Sequence, residues 1–293
     1  MRVASVDGRA VLLNGSGGGL DIAKASGGRF PAEPQALFEH WDPFREWAAT
    51  HSGDADLAVD EAHFGAPTPA PRQVFAIGLN YASHAEEAAM GRPDAPPVFT
   101  KFPTSITGPA ATVSLPSANV DWEVELVVAI GRRAYEVAQE RAWDHVAGVM
   151  VGQDLSERVV QLAGPVPQFS LGKSYPGFAP VGPALVTPDE LADPDDVELG
   201  CQLDGEVLQR GRTRDMIFSV AELIARLSAV CPLLPGDIMF TGTPSGVGAT
   251  RNPKRFLTPG SRLTSYADGV GELTNELVAG RTYPATAADH ATA

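Results

Sequence analysis

The sequence predicts a mixed α/β protein in which β-strands predominate. Proline and glycine contribute 25 and 30 of the 293 residues, which favours many turns and short strands over a helical bundle. Short apolar segments alternate with turn residues along most of the chain, whereas helical patterns are few. A chain of this length fits one large domain with a smaller second domain.

Residues 1–68 are expected to form the small N-terminal α+β domain and its linker. Residues 1–13 indicate a hairpin that turns at Asp7-Gly8, and residues 34–49 fit an amphipathic helix with an aromatic stripe. Such a stripe is typical of core packing rather than of a cofactor site. The segment 53–73 contains closely spaced prolines and is the expected linker.

The large domain is predicted to extend over residues 69–284, and the low-complexity tail 285–293 is predicted to be disordered. Asp204-Gly205 indicates a hairpin, and the clearest helical pattern runs from Val220 to Val230. Seven further strands are expected from short apolar segments between turn residues: Val74–Ile77, Val98–Lys101, Glu123–Ile130, Val146–Val151, Val197–Leu203, Ile238–Thr241 and Arg262–Tyr266.

Composition excludes several classes of partner. A formal net charge of −14 argues against nucleic acid, which requires a basic surface. Neither a signal peptide nor a run of about 18 apolar residues is present, so we expect no membrane partner and a cytoplasmic location. Cys201 and Cys231 are too few for a disulfide framework and are expected to be buried apolar residues.

Glu123 and Glu125 form the most informative pair in the chain. Side chains alternate along a strand, so these two carboxylates point to the same face and repel each other. Asp154 follows the apolar segment Val146–Val151 and can add a third oxygen ligand. Three carboxylates without nearby cysteine or paired histidine suit a hard cation, Mg²⁺ or Mn²⁺.

A solvated outer face is the ordinary explanation for two glutamates that alternate along a half-buried strand. The strand continues, however, as the segment 126–130, which is apolar on both faces and therefore runs into the core. Unpaired charge is costly there, which favours a cation site.

Other candidates for chemistry lie in three segments. His84 and Glu87 are three residues apart, so on a helical turn they can form a general-base pair, although a surface histidine beside surface acids is the alternative. Lys173 lies among glycine, proline and aromatic residues and is either held in a cleft or exposed on a loop. The backbone N–H groups of the loop 241–248 can cradle an anionic oxygen.

Taken in order, these segments resemble the fumarylacetoacetate hydrolase family, which includes acylpyruvate or 2,4-diketo acid hydrolases and 2-hydroxyhepta-2,4-diene-1,7-dioate isomerase-like members. The resemblance covers roughly residues 70–280 and rests on several motifs in the same order: N-Y-x-x-H-x-x-E at 80–87, E-x-E at 123–125, Asp154 with Ser156 and Arg158, G-K-S-Y at 172–175, and P-G-D through T-G-T-P-x-G-V-G at 235–248.

The resemblance implies a β-roll built around a divalent metal, usually in a homodimer. It implies that Glu123, Glu125 and Asp154 bind Mg²⁺ or Mn²⁺, and that His84 and Glu87 activate water on a lid helix. Lys173 would hold the substrate or its enolate. Thr243 would bind the carboxylate of a small keto acid.

The function expected from these roles is hydrolysis of a carbon–carbon bond in a 2,4-diketo acid, of the acylpyruvate or diketo-deoxy sugar acid type, through a metal-bound enolate. An oxaloacetate-type decarboxylase and a 2-hydroxydienoate isomerase are alternatives that use the same site. A non-catalytic metal- or carboxylate-binding homologue is a further alternative, because a fold alone does not establish activity. Acylpyruvate-cleaving relatives often have a basic residue where this chain has Leu79, so the distal group of the substrate stays open.

Overall fold

The structure is a computed structural model that describes residues 1–15, 17–51 and 53–281. The tail 285–293, predicted to be disordered, lies outside these residues. The helices of the described residues are short: α1 (Ile22–Ala25), α2 (Pro34–Leu37), α3 (Trp41–Ala48), α4 (Ala82–Glu87), α5 (Arg158–Gln161), α6 (Phe169–Gly172) and α7 (Val220–Ser228). None of the helices in this described part is long and apolar enough to cross a membrane.

Strands dominate the described chain. In chain order they are β1 (Arg2–Val6), β2 (Arg9–Leu13), β3 (Gly18–Asp21), β4 (Leu57–Ala58), β5 (Phe64–Gly65), β6 (Val74–Ile77), β7 (Val98–Thr100), β8 (Ile106–Thr107), β9 (Val113–Leu115), β10 (Val120–Asp121), β11 (Val124–Ile130), β12 (Val146–Gln153), β13 (Ser156–Glu157), β14 (Ala179–Val186), β15 (Glu198–Leu203), β16 (Glu206–Arg212), β17 (Ile238–Phe240), β18 (Arg262–Ala267) and β19 (Gly271–Ala279).

These strands form two large sheets and one two-stranded sheet. A large mixed sheet has the order β4-β3-β2-β1-β14-β12-β11-β17-β6-β7, with β5 paired to β1 and β8 paired to β14. A five-stranded sheet has the order β16-β15-β18-β19-β9, and β10 pairs with β13. The N-terminal strands continue the large sheet through the antiparallel pairing of β1 with β14. The division of the chain near residue 68 stays a prediction.

The central strand β11 is buried on both faces. Leu126 and Val128 pack into the core that includes residues of the five-stranded sheet. Val127 and Ala129 pack into a second core, which contains the aromatic residues of α3. The glutamates therefore lie at the start of a strand that both cores enclose, as the apolar segment 126–130 predicts.

Two local features differ from the sequence prediction, and proline explains both. The expected helix 34–49 is divided into α2, a 3₁₀ turn and α3, because Pro43 lacks an N–H and its ring clashes with the preceding turn. Strand β14 was not predicted because Gly182 and Pro183 interrupt its apolar pattern. Its pairing with β12 shifts register between Val149 and Val151, an irregularity of the kind that accommodates proline in a sheet.

Candidate active site

Antiparallel pairing of β11 with β12 brings the three predicted metal ligands together. Val124 lies opposite Gln153, so Glu123 and Asp154 meet at the same end of the two strands. The Asp154 backbone N–H donates to the Glu123 carbonyl at 2.8 Å and extends the pairing by one step. One carboxylate oxygen from each of Glu123, Glu125 and Asp154 lies within 4.8 Å of the other two, and all three residues are buried.

Three cations surround this carboxylate cluster. Lys173 Nζ lies 2.8 Å from Glu123 Oε2 and 2.7 Å from Asp154 Oδ2, so the predicted lysine does lie beside the carboxylates. Lys101 Nζ donates to Asp154 Oδ1 at 2.6 Å and also to the carbonyl of Lys173. The Arg158 guanidinium lies 2.7 Å from Glu123 Oε1 and 2.6 Å from a carboxylate oxygen of Asp121.

The neighbouring charges act in opposite directions on the two glutamates. Burial opposes ionisation of Glu123, but Lys173 and Arg158 outweigh it and lower the Glu123 pKa to about 2. Burial and the adjacent carboxylates Asp154 and Glu123 raise the pKa of Glu125 well above its usual range. Glu125 is thus the candidate ligand whose negative charge is least compensated by the protein.

The composition of the cluster fits a hard divalent cation. Its donors are carboxylate oxygens, the ligands that Mg²⁺ and Mn²⁺ prefer. Four buried carboxylates adjoin three cationic side chains, which leaves one negative charge in excess. A divalent cation would neutralise this excess and would favour the ionised form of Glu125. The carboxylates and cations are Asp121, Glu123, Glu125, Asp154, Lys101, Arg158 and Lys173.

The predicted general-base pair forms within α4. His84 Nδ1 lies 2.8 Å from Glu87 Oε1, and the Gly246 N–H donates to both oxygens of the same carboxylate at 3.1 and 2.9 Å. Burial opposes ionisation of Glu87, but these hydrogen bonds outweigh it and lower the pKa. Because a carboxylate only accepts, we place the histidine proton on Nδ1, which leaves Nε2 as the basic nitrogen.

In the loop 241–248, which is predicted to cradle an anionic oxygen, the oxygens that are contacted belong to the protein. Its N–H groups donate to carboxylates of the protein: Gly242 to Glu125 at 2.7 Å and Gly248 to Asp121 at 2.7 Å, in addition to Gly246. Gly246 has a φ of 107°, and a Cβ there would lie 2.3 Å from the carbonyl oxygen of Leu208. Only glycine can therefore hold Glu87 from this position.

The Thr243 hydroxyl faces the backbone of β11. It donates to the Val124 carbonyl at 2.8 Å and accepts from Gln209 Nε2 at 2.8 Å. Thr243 is not among the described residues that line the cavity beside the carboxylates. Its contact with a substrate carboxylate stays a prediction.

A cavity of about 350 Å³ joins the base pair to the carboxylate cluster. Its polar lining includes His84, Glu123, Arg158 and Lys173. Much of the remaining wall is apolar. The apolar lining residues are Ile77, Leu79, Ala88, Met90, Pro97, Phe99, Leu162, Phe169, Val247 and Ala249. The volume is sufficient for a small organic acid.

Three charged residues of the site, Lys101, Asp121 and Arg158, have no role predicted from the sequence. Lys101 follows β7, and strand alternation places it on the same face as Phe99, which lines the cavity. A lysine at the end of an apolar strand was therefore a usable indication. Asp121 accepts from Gly248, Ala249 and Arg158, contacts between distant segments that no local pattern indicates.

The fold and the site define a class of protein in which a strand-rich scaffold carries a buried acidic cluster beside a histidine–carboxylate pair. The family model described as fumarylacetoacetate (FAA) hydrolase C-terminal matches residues 73–278. The chain belongs to this family, and both the resemblance and the predicted β-rich fold class are confirmed.

Similar proteins cover most of this chain. A crystal structure from Mycobacterium smegmatis, provisionally named HpcE, is 56% identical with a TM-score of 0.90, covering 96% of this chain and 100% of that one. Human mitochondrial oxaloacetate tautomerase FAHD2A is 38% identical over 91% of this chain and 86% of its own length. Maleylpyruvate hydrolase from Sphingobium sp. SYK-6, solved with manganese(II) and pyruvate, is 28% identical with a TM-score of 0.80, covering 96% of this chain and 100% of that one.

Proposed function

We propose that this family member is a divalent-metal-dependent hydrolase that cleaves a carbon–carbon bond in a 2,4-diketo acid. The observation that carries the proposal is the His84–Glu87 pair, which lies on the same cavity as the carboxylate cluster. Hydrolysis requires a group that activates water, whereas decarboxylation of a 2-oxo acid does not. In this site His84 is such a group, because only its Nδ1 is engaged by Glu87 and Nε2 is left to accept a proton.

Mg²⁺ or Mn²⁺, held by Glu123, Glu125 and Asp154, would supply Lewis-acid polarisation of the carboxylate and 2-oxo oxygens of the substrate. Manganese in the maleylpyruvate hydrolase structure supports this choice of ions. Glu123 is the ligand that also lines the cavity, so the cluster is accessible from the substrate side.

Side chains of the protein then carry out the proton transfers and stabilise the developing charge. His84 Nε2 takes a proton from water, and Glu87 stabilises the imidazolium through Nδ1. The water oxygen attacks the distal carbonyl carbon, and the carbon–carbon bond breaks to leave the enolate of pyruvate. The Lys173 ammonium stabilises that negative charge, and the imidazolium returns its proton to the enolate carbon. The products are pyruvate and a carboxylic acid.

Other reactions can use the same polar groups. The human relative named oxaloacetate tautomerase supports proton transfer on oxaloacetate. Decarboxylation of an oxaloacetate-type acid and isomerisation of a 2-hydroxydienoate are the alternatives expected from the sequence. All of these pass through an enolate, so the metal ligands do not discriminate among them or from hydrolysis. A non-catalytic binding protein is disfavoured because the cluster and the base pair are both intact.

The direct test is turnover of acylpyruvates, diketo-deoxy sugar acids, oxaloacetate and a hydroxydienoate, each with Mg²⁺, with Mn²⁺ and with EDTA. Metal-dependent loss of the diketo absorbance with release of pyruvate supports the hydrolase. Carbon dioxide from oxaloacetate alone identifies a decarboxylase, and a shifted dienoate spectrum without cleavage identifies an isomerase. Binding of Mn²⁺ without any turnover identifies the binding protein.

His84→Ala tests the base assignment within the same assay. We expect a loss of about 10²- to 10⁴-fold in kcat with unchanged affinity for Mn²⁺, because His84 is not among the ligands. His145→Ala is the matched control, since His145 bonds a backbone carbonyl on an exposed surface. Unchanged hydrolysis in the His84 variant would refute the assignment. A homodimer and a cytoplasmic location stay predictions, tested by light scattering and by fractionation.

A further inference from the structure

The charge distribution in the cavity wall carries information about the far end of the substrate. Arg158 and Lys173 are the permanent cations among the described lining residues. Arg158 is engaged by Asp121, Glu123 and Gln161, and Lys173 by Glu123 and Asp154. Both belong to the polar end of the cavity, where the carboxylate cluster lies. No described lining residue offers a free cation to a second anionic group.

Much of the remaining lining is an apolar wall of aromatic and aliphatic residues. Phe99 lies below Lys173 Nζ, 5.1 Å from the ring centroid, and its ring contacts Phe169 edge to face at 5.6 Å. Leu162 and Met90 continue this wall and are each 55% exposed, which leaves apolar surface uncovered at the mouth. A carboxylate placed against such a wall would lose hydration without gaining a partner.

Leu79 belongs to this wall, and its backbone has an unfavourable conformation. It lines the cavity and has a φ of 50°, a left-handed conformation that a leucine rarely adopts. Such strain persists where the surrounding structure fixes it, and it concentrates at functional sites. The side chain at position 79 is thus held in the cavity wall by a conformation that local preference alone would not choose.

We propose that the site selects 2-oxo acids whose distal group is apolar and uncharged over dicarboxylates of the same length, and that Leu79 is a residue that determines this specificity. The inference rests on the proposed function, in which the 2-oxo acid end lies at the carboxylate cluster. This substrate preference would distinguish the chain from its relatives named for oxaloacetate and maleylpyruvate, since both of those compounds are dicarboxylates.

A matched pair of unreactive ligands tests the selection independently of catalysis. Heptanoic acid with a 2-oxo group and its counterpart with a second, terminal carboxylate have the same chain length and cannot undergo diketone hydrolysis. Calorimetric titration into the Mg²⁺-loaded protein should give at least about tenfold tighter binding for the monoacid, because the diacid must desolvate an unpaired carboxylate. Equal or tighter binding of the diacid would overturn the inference.

Leu79→Lys should narrow or reverse this preference by supplying the missing cation. Val230→Lys adds the same charge at a residue that is 83% exposed and outside the cavity lining, and it should leave the preference unchanged. Leu162→Lys, on the same wall, replaces the first variant if Leu79→Lys does not fold. An unchanged preference in a folded wall variant would overturn the role assigned to the wall.

The matched diketo acids butanoylpyruvate and succinylpyruvate separate this inference from the proposed function. Cleavage of both, with succinylpyruvate the better substrate, would overturn the inference and leave the hydrolase intact. Tighter binding of the monoacid without cleavage of either diketo acid would support the selection and refute the hydrolase. If neither 2-oxo acid binds, both proposals fail.

Discussion

Lys101 offers a test of how the buried charges are balanced. Its side chain is 0% exposed, and its partner Asp154 is 1% exposed. In Lys101→Met the aliphatic volume is largely kept, but four carboxylates would adjoin two cations in the absence of a metal. Removing one partner of a buried ion pair costs about 3–5 kcal/mol, and in this variant Asp154 would keep only Lys173, which it shares with Glu123. We therefore expect the metal-free variant to be strongly destabilised.

The assay is the thermal unfolding midpoint in EDTA and in excess Mg²⁺. For a chain of this size, each kcal/mol corresponds to about 2 °C, so the loss in EDTA should be about 6–10 °C. Magnesium should recover more of the midpoint in Lys101→Met than it adds to the wild type, because it replaces the missing positive charge. Lys24→Met is the matched control, since Lys24 is 69% exposed and lies 3.6 Å from Asp21.

An unfolding midpoint of Lys101→Met in EDTA within about 2 °C of the wild type, which would correspond to only about 1 kcal/mol, would refute this charge balance. An equal rise of both midpoints with Mg²⁺ would also refute it. In either case the charge of Lys101 would not be part of the balance that the metal completes.

Three other predictions follow from the contacts. Glu125→Gln should raise the thermal unfolding midpoint in EDTA, because the raised pKa of Glu125 marks an unfavourable buried charge. The same change should abolish the rise in midpoint that Mg²⁺ gives the wild type, and a retained rise would contradict the role of Glu125. Gly246→Ala should lower kcat while Mn²⁺ binding persists, because the clash of the new Cβ displaces the N–H that holds Glu87. Gly8→Ala controls for backbone strain alone, since Gly8 has a φ of 75° and its Cβ would have no neighbour within 4 Å. Equal kcat in the two variants would refute the role of the Gly246 N–H. The hydrogen bond from Arg9 lowers the pKa of Asp21 in the folded protein, so the ion pair stabilises the fold fully above the unfolded-state pKa of 3.8 and stops doing so as pH falls through the lower folded-state pKa. The difference in urea midpoint between the wild type and Asp21→Asn should therefore shrink on acidification below pH 3.8. A constant difference would count against the ion pair.

Local patterns predicted the strands well where burial alone determines them. The apolar segments at β6, β11, β12, β17 and β18 were identified to within about two residues at each end. Strand β14 was missed because its stability comes from neighbouring strands rather than from its own residues, among which Pro183 opposes a strand. Tertiary pairing thus overrode the local preference.

The candidate site divides in the same way. Glu123 with Glu125 and His84 with Glu87 could be paired from sequence, because each pair lies within one short element. Contacts between distant segments required the structure. Lys101 meets Asp154 only because β7 and β12 end near each other, and 53 residues separate them in sequence.

The loop 241–248 also bears on how such a protein can diversify. One short stretch of backbone supports a candidate metal ligand, the carboxylate of the base pair and the partner of Arg158. A change in its course would disturb all three together, so this stretch should tolerate very little variation. Leu79, Met90 and Leu162 line the cavity and lie outside this stretch. New substrate preferences can therefore arise by exchanging wall residues while the chemical machinery is inherited whole.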